Sequence, residues 1–183
     1  GNTAIGYNNL SYGVTYNREH VRDRSREWEL LDSAGYVSPV SDARLEMSRV
    51  LMSDHDVGSS RLSLFLQDAL RFSSSLGHWW LNAGVRAGYW DFNKEWTVSP
   101  RISLGLVPDA DRHFAFRLSA GLYYQAPFYK EIKYPVDGVT ELNRGIKAQR
   151  SLQMIAGTDY TFSAFNRPFR LSGEVYYKLL SRI

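Results

Sequence analysis

Apolar and polar residues alternate along the segment RLSLFLQDALRF at 61–72. The apolar side consists of Leu62, Leu64, Leu66, Leu70 and Phe72, and the polar side includes Arg61, Ser63, Gln67 and Arg71. Alternation with a period of two residues is typical of a β-strand that turns one face to an apolar environment and the other to water. The pattern predicts a strand about twice as long as the ~5–6 residues of an average strand.

The same alternation recurs along most of the chain and predicts further long strands. The predicted strands lie near 7–17, 60–72, 78–90, 95–107, 113–125, 150–162 and 168–180. An eighth strand is available at 43–54, but its alternation is poor. We therefore predict an all-β fold, a partial antiparallel up-and-down transmembrane β-barrel of about seven or eight strands. Residues 1–183 then form a single barrel segment without a plug domain.

The connections between these strands fall into two groups. Short turns are predicted at 73–78, 108–112 and 163–168, and longer polar connections at 18–60 and 127–147, with the tight turn 91–94 on the side of the long ones. One rim of short turns and one rim of longer loops is the arrangement of outer-membrane barrels. The connections thus favour a barrel over a soluble sandwich.

Aromatic residues mark both ends of the predicted strands on the apolar side. Beside the short turns lie Phe72, Trp79, Phe114, Phe162 and Phe169, and near the opposite ends lie Tyr89, Trp96, Tyr124 and Tyr177. Tyr and Trp collect where a membrane meets water, because one end of the side chain is apolar and the other is polar. Ten residues separate Trp96 from Leu106, which at ~3.3 Å per residue and a tilt of ~40° spans about 25 Å, the height of a barrel's apolar band.

Composition narrows the function classes. The net charge is only +3, the 22 Lys and Arg form no evident patch for nucleic acid, and there is no Cys for a disulfide or a Cys-based metal site. No apolar run approaches the ~18 residues of a transmembrane helix. The mean hydropathy of −0.36 still permits a membrane barrel, because lipid-facing and lumen-facing residues average out.

The polar side of the predicted strands carries the first set of candidate site residues. They are Arg61, Gln67, Arg71, Arg86, Arg101, Arg117, Gln125, Asp159 and Glu174. We expect them to line a lumen, where they contact a plug or a solute; the alternative is that they only satisfy one another across neighbouring strands. Asp68 falls on the lipid side by strict alternation, unless a local bulge turns it inward.

The longer connections supply the second set. In the loop 127–147, Tyr129, Lys130, Lys133 and Tyr134 are candidates for contacting a ligand or a surface partner, since loops on rigid scaffolds commonly carry binding. The segment 18–42 alternates in charge around Trp28 and is expected to extend a strand beyond the membrane rather than to form a binding motif. The run SDHDVG at 53–58 is expected to be a solvated turn rather than a cation site, because adjacent residues of an extended chain point apart.

Catalytic chemistry finds no support in the sequence. The four histidines have no metal-ligand spacing, and no nucleophile motif, zinc-protease motif or phosphate-binding glycine loop occurs. We expect no enzymatic activity, no cofactor, no metal and no nucleic-acid partner.

Four phrases carry a resemblance to a known family. They are RLSLFLQDALRF, FNKEWTVSPRISLGLVPDADRHFAFRLSAGLYYQAPFYKEI, IKAQRS and FRLSGEVYYK. Through them the chain resembles the barrel of TonB-dependent outer-membrane receptors, especially those of the Bacteroidetes type, from about residue 7 to the end. The resemblance implies a complete receptor with a barrel of roughly 22 strands that is closed by a plug.

The resemblance implies a piece of the barrel wall in the cell outer membrane. It also implies a transport function, the energised uptake of a scarce solute. The implied partners are outer-membrane lipid, a plug domain, a TonB-type energy-coupling protein and a surface lipoprotein. Two alternatives stay open at this point: a small self-contained barrel acting as an adhesin or structural protein, and a soluble all-β binding domain. Solubility without detergent would favour the soluble domain.

Overall fold

The computed structural model describes residues 1–31 and 46–182, and most of them are in strands. The strands are β1 (Asn2–Ile5), β2 (Asn8–Leu31), β3 (Glu46–Ser74), β4 (Gly77–Trp90), β5 (Glu95–Pro108), β6 (Phe114–Gln125), β7 (Lys133–Val136), β8 (Val139–Leu142), β9 (Gln149–Ala164) and β10 (Arg167–Ser181). A single helical turn, α1 (Tyr129–Ile132), precedes β7.

Strand order in the sheet follows the order of the chain. The path runs β1-β2-β3-β4-β5-β6-β9-β10, and the short hairpin β7–β8 lies off this path within the connection from β6 to β9. The pairs from β3 to β6, and those joining β6, β9 and β10, are antiparallel. The predicted antiparallel up-and-down topology is confirmed.

The chain forms two compact units. The first contains residues 1–17, 61–126 and 147–183, and the second contains residues 18–60 and 127–146. The first unit includes most of the predicted wall, and the second includes the longer connections.

In the first unit, neighbouring strands place apolar residues side by side on one face. Leu104 pairs with Leu118, which pairs with Ala156, and Ala156 pairs with Val175. Leu118 is 57% exposed and Val175 is 75% exposed, so this face packs against no second layer. A soluble sandwich would bury such a row in its core. The apolar side is therefore an outward face suited to lipid.

Aromatic residues on this face contact one another at both ends of the strands. Near the short turns, Phe72 stacks on Trp79 with ring centroids 6.1 Å apart, and Phe162 stacks on Phe169 at 5.5 Å. At the opposite end, Tyr89 and Trp96 lie 4.9 Å apart. These contacts form two bands of rings, as expected for the two boundaries of a membrane.

The register of β3 and β4 fixes the position of Asp68. Pairing runs one to one from Arg61 opposite Trp90 to Ser74 opposite Gly77, with no extra residue on either strand. A bulge is thereby excluded, and Asp68, opposite Ala83, stays on the apolar side. Its Oδ1 atom is buried without a hydrogen-bond partner among the described residues.

The polar face accommodates aromatic rings over glycines. A Cβ at Gly105 would overlap the ring of Trp80, its partner on β4, and a Cβ at Gly13 would overlap the ring of Phe65. The missing side chains thus let each ring lie flat against a neighbouring strand. These glycines serve close packing on a face that otherwise meets water.

Two strands are longer than the sequence predicted. The stretch 18–60 was expected to be a longer polar connection in which 18–42 extends a strand beyond the membrane. In the structure β2 continues to Leu31, and β3 begins at Glu46. The stretch 43–54, where an eighth strand was available, belongs to β3 in its described part. Ion pairs between the strands, from Arg22 to Asp56 at 3.1 Å and from Arg24 to Asp54 at 3.2 Å, stabilise the continuation. The rest of the predicted extension, 32–42, lies outside the described residues.

The two faces should differ in their tolerance of charge. Leu118→Lys should destabilise the lipid-embedded protein by about 2–4 kcal/mol, because it places a charge on the outward face near the middle of the apolar band. Ser119→Lys, one residue away on the polar face, should cost much less. Urea titrations of unfolding in lipid vesicles would measure both. Equal costs would mean that both faces are covered alike, and a larger cost at Ser119 would mean that the facing is inverted.

Candidate functional site

Arginines and acids on strands β6, β9 and β10 form one ion network on the polar face. Asp159, only 5% exposed, accepts hydrogen bonds from Arg170 Nη2 at 2.6 Å and Ser172 Oγ at 2.6 Å. Arg117 Nη2 lies 3.4 Å from the same carboxylate and donates to Glu174 Oε1 at 2.9 Å. In this group of predicted site residues the charges satisfy one another, which leaves little unpaired charge for a ligand.

A second group of arginines surrounds a hollow on the polar face of β3, β4 and β5. The guanidinium of Arg61 lies 4.4 Å from the ring centre of Trp90, and that of Arg101 lies 4.6 Å from the ring centre of Tyr123. Arg86 lines the hollow with Arg61 and Arg101. Stacking on an aromatic ring orients a guanidinium without using its N–H donors, so the donors of Arg101 remain available for hydrogen bonds.

The acid that lines this hollow is already engaged. Glu95 Oε2 accepts a hydrogen bond from the Ala148 backbone N–H at 2.7 Å, and its Oε1 lies 3.2 Å from Arg182 Nη1. Since Glu95 is neutralised in this way, the hollow presents a net basic, partly aromatic surface. Such a surface can bind an anionic or hydroxyl-rich group.

The remaining predicted wall residues lie apart from this hollow. Gln67 lines an adjoining depression with Asn82, Ser103 and Ser119. Arg71 lines another one near the short turns, and Gln125 is exposed at the end of β6, opposite Gln149. The nine wall residues predicted from the sequence are thus divided among several places.

In the second unit, the loop after β6 is tied to β2 and β3 through Asp23. Asp23 Oδ2 accepts hydrogen bonds from Ser53 Oγ at 2.6 Å, Lys133 Nζ at 2.8 Å and Tyr129 OH at 3.2 Å. The Lys133 ammonium also lies 5.3 Å from the ring centre of Tyr129. Two of the four predicted loop contacts are therefore occupied in holding the loop.

The ionisation of this cluster reflects its contacts. Hydrogen bonds from Lys133 and then Ser53 hold the pKa of Asp23 below its usual value. Burial, followed by the negative charge of Asp23, raises the pKa of Tyr129 to about 12. The carboxylate and the neutral phenol both persist over a wide range of pH, so the attachment of the loop does too.

Other residues of the loop remain exposed. Tyr134 OH donates a hydrogen bond to Glu141 at 2.9 Å, and this bond raises the pKa of Tyr134. Tyr134 is nevertheless 42% exposed. Lys130 is exposed and has no ionic partner among the described residues, and Phe128 at the start of α1 is 62% exposed. Phe128 was not predicted as a contact residue, because a lone aromatic after Ala-Pro carries no pattern that separates a surface contact from a buried anchor.

The run Asp54–His55–Asp56 lies in strand β3 rather than in a turn. Asp54 and Asp56 pair with arginines of β2, and His55 points to the other side. Within residues 1–31 and 46–182, no three His, Asp or Glu side chains come close enough to hold a metal ion.

The family described as TonB dependent receptor-like, beta-barrel matches residues 1–181. The chain belongs to this family. No curated protein matches it. The receptor-barrel assignment agrees with the outward apolar face, the two aromatic bands and the polar inner face of the first unit.

Several general properties follow from membership of this receptor-barrel family. Its members are transport receptors rather than enzymes, normally reside in the outer membrane, and in full-length form have a plug domain and a TonB partner. Across the described part of the chain, no helix has the length and apolar character needed to cross a membrane.

The ion network should depend more on Asp159 than on Glu174. Asp159→Asn should destabilise the receptor barrel by about 1–3 kcal/mol, because the buried carboxylate accepts from two arginines and a serine. Glu174→Gln, at a half-exposed side chain, should cost less than about 1 kcal/mol. Urea unfolding of both variants in the same lipid provides the comparison. A greater loss at Glu174 would contradict the assignment of Asp159 as the centre of the network.

The attachment of the loop should depend on the charge of Asp23. Asp23→Asn weakens the contact with Lys133, so amide hydrogen exchange within 127–146 should become roughly tenfold faster at neutral pH. Asp54→Asn, on the exposed side of the neighbouring strand, is the matched control and should leave that exchange unchanged.

The attachment of the loop should weaken at both low and high pH. Because the pKa of Asp23 is lowered, its contribution is present above the ordinary value of 3.8 and is lost as the pH falls through the lowered value. Because the pKa of Tyr129 is raised, its contribution is present below 10.0 and is lost as the pH rises towards about 12. Exchange of 127–146, corrected for the intrinsic effect of pH, should be slowest between these limits. Faster exchange already at pH 6 would argue against this arrangement.

Proposed function

We propose that this chain forms part of the wall of an outer-membrane receptor that takes up a scarce solute with energy supplied through a TonB-type partner. The proposal is supported by the contrast between the two faces of one sheet in a chain that belongs to this family. One face exposes a row of apolar side chains between two aromatic bands, and the other presents the basic hollow lined by Arg61, Arg86 and Arg101.

In this proposal the wall residues face the interior of the complete barrel. The network of Arg117, Asp159 and Glu174 stiffens the wall, because its charges are already paired. The hollow with Arg86 and Arg101 offers donors to carboxylate, phosphate or hydroxyl groups of the plug or of the passing solute. Gln67, Arg71 and Gln125 add further polar contacts along the same side.

The loop supplies the surface-facing part of the proposal. Tyr129 and Lys133 hold the loop through Asp23, whereas Lys130 and Tyr134 stay accessible for the solute or for a surface lipoprotein. The loop is also joined to β3, where Met52 N donates to Gly138 O at 2.9 Å and Thr140 Oγ1 donates to Met52 O at 3.1 Å. A loop that is attached along one side and exposed on another can present a contact surface without losing its position. Outer-membrane lipid covers the apolar face.

Deletion of the gene tests the function itself. The deletion strain should lose growth on one class of limiting nutrient among iron chelates, cobalamin, glycans and peptides, and loss of the energy-coupling protein should have the same effect. Unchanged growth on all four classes, with the wild-type protein demonstrably present in the outer membrane, would overturn the proposal.

The arginine hollow can be tested separately on the affected nutrient. Arg86→Gln combined with Arg101→Gln should lower uptake by roughly tenfold or more, since each arginine offers charge-assisted hydrogen bonds worth ~1.5–3 kcal/mol. Arg112→Gln combined with Arg167→Gln removes the same charge from exposed turns and should leave uptake unchanged. An equal loss in both double variants would mean that only the net charge matters.

A further inference from the structure

Strand β2 carries a basic residue at every second position from 18 to 26. The basic row, as we term it, consists of Arg18, His20, Arg22, Arg24 and Arg26. All five residues are exposed. Because alternate residues of a strand share one face, these side chains lie together on one side of β2, which we term the open face.

The opposite side of the same segment is covered. Asp23 is half-buried and contacts the loop residues Tyr129 and Lys133. By contrast, the side chains of Arg22 and Arg24 are 76% and 78% exposed. The loop therefore packs on one side of β2 and leaves the open face free of cover from the described residues.

Strand β3 continues the open face beside the basic row. Asp56 pairs with Arg22 at 3.1 Å and with His20 at 3.0 Å. Asp54 pairs with Arg24 at 3.2 Å. These contacts align the two strands, but they neutralise only part of the row. With four arginines and two aspartates, the formal charge is +2 when His20 is neutral.

The uncompensated charge lies at the two ends of the row. Arg18 and Arg26 have no ionic partner among the described residues. Their guanidinium groups therefore keep all their N–H donors for groups outside this part of the chain, and carboxylates are the side chains that guanidinium binds with two parallel hydrogen bonds.

An apolar patch adjoins the row at Arg26. The alignment set by the ion pairs, continued by two residues, places Met52 of β3 beside Arg26, and Met52 pairs with Val139 of β8. Trp28 is the next open-face residue of β2, and Tyr134 shares the face on β7, the strand paired with β8. The four apolar and aromatic residues are 42–63% exposed. Patch and row both lie within the second unit.

The composition and size of the open face are those of a protein-binding surface. Trp, Tyr, Met and Arg are enriched where proteins meet, and Trp, Tyr and Arg contribute most of the binding energy. The patch provides Trp28, Tyr134 and Met52, and Arg26 borders it. At ~3.3 Å per residue the row extends over about 26 Å, close to the width of a standard interface of ~800 Å² per partner.

The charges of the open face decide which partner fits. A second copy of the chain would bring one basic row against another, and like charges oppose such a contact. Asp54 and Glu141 stand on the open face next to Met52 and Val139, so the patch could enter an acyl layer only together with these carboxylates. Acyl chains offer them no hydrogen bonds, whereas a protein surface does. The positive row then requires acidic groups on that protein.

We propose that the open face of the second unit docks a protein whose surface carries acidic side chains around an apolar centre. The apolar centre covers Trp28 and Met52, and the acids pair with Arg18 and Arg26. The contact of the loop with Asp23 holds the strands of the open face from the opposite side. The inference deepens the surface contact of the proposed function and rests on it, since it needs the protein to stand in the outer membrane.

Cross-linking in living cells identifies the occupant of the open face. The photo-reactive amino acid benzoylphenylalanine replaces Met52 in the full-length protein, and the cross-linked product is analysed by mass spectrometry. We expect a cross-link to one protein, at a peptide that contains acidic residues next to apolar ones. The same amino acid in place of Arg112, in an exposed turn of the first unit, is the control and should not cross-link to that protein.

The affinity of the identified protein, once purified, tests the assigned contacts. Its binding to the full-length receptor is measured by biolayer interferometry in neutral detergent. Arg18→Gln combined with Arg26→Gln should weaken binding roughly tenfold and reduce its dependence on salt. Trp28→Ala, at an exposed side chain, should weaken binding about 30-fold. Arg112→Gln combined with Arg167→Gln removes two positive charges from the short turns and should leave the affinity unchanged.

Several outcomes would overturn the inference. Cross-links from position 52 to lipid, to a second copy of the chain or to residues 32–45 of the same chain would each assign the open face to another occupant. The absence of any cross-link would mean that the face stays uncovered. An equal loss of affinity in both double variants would reduce the effect to net charge, and unchanged affinity in Trp28→Ala would exclude the apolar patch from the contact.

The inference can fail without the proposed function failing. Solute uptake, measured in the same cells, separates the two. If the protein inserts and transports normally but position 52 cross-links to no protein, only the docking inference is wrong. If wild-type protein is absent from the outer membrane, the proposed function is wrong, and the docking inference fails with it.

Discussion

The continuous antiparallel hydrogen-bond ladder is the constraint on which the rest of the structure depends. A strand that crosses lipid must satisfy its backbone N–H and C=O groups through its neighbours, because no water is available there. Pairing between β3 and β4 runs from Arg61 to Ser74 without an inserted residue. Since side chains alternate strictly along paired strands, this register assigns every residue of the wall to one face. A shift by one residue would turn Arg101 and Arg117 towards lipid.

The two faces of the wall meet different environments. The outward face needs no packing partner, and exposed Leu118 and Val175 are stable there only because lipid replaces water. The inner face carries charges that either pair with one another, as around Asp159, or stack on aromatic rings, as Arg101 does on Tyr123. Paired charges stiffen a wall, whereas stacked arginines keep donors for other groups. This difference separates the structural part of the polar face from the part proposed to contact plug or solute.

The second unit uses the same alternation for a different purpose. On β2, Asp23 points to the side covered by the loop, and its neighbours Arg22 and Arg24 point to the open side. One strand can therefore hold a loop with one face and present a basic row with the other. The loop is held by a charge cluster and by hydrogen bonds to β3 rather than by an extensive apolar core, since Pro127 and Ile132 are its buried apolar residues among those the structure describes.

The sequence by itself determined the strand type, the topology and the facing of the wall, because a period of two is a local property that each segment carries on its own. It also determined the aromatic bands, since Trp79 and Tyr89 stand at fixed distances from the turns. Only the tertiary structure decided which charges meet. Arg117 and Asp159 are far apart along the chain. They pair because β6 and β9 are neighbours in the sheet, although β7 and β8 lie between them in the sequence. The same holds for Asp23 and Lys133, because a contact across a long loop leaves no periodic signal in the sequence.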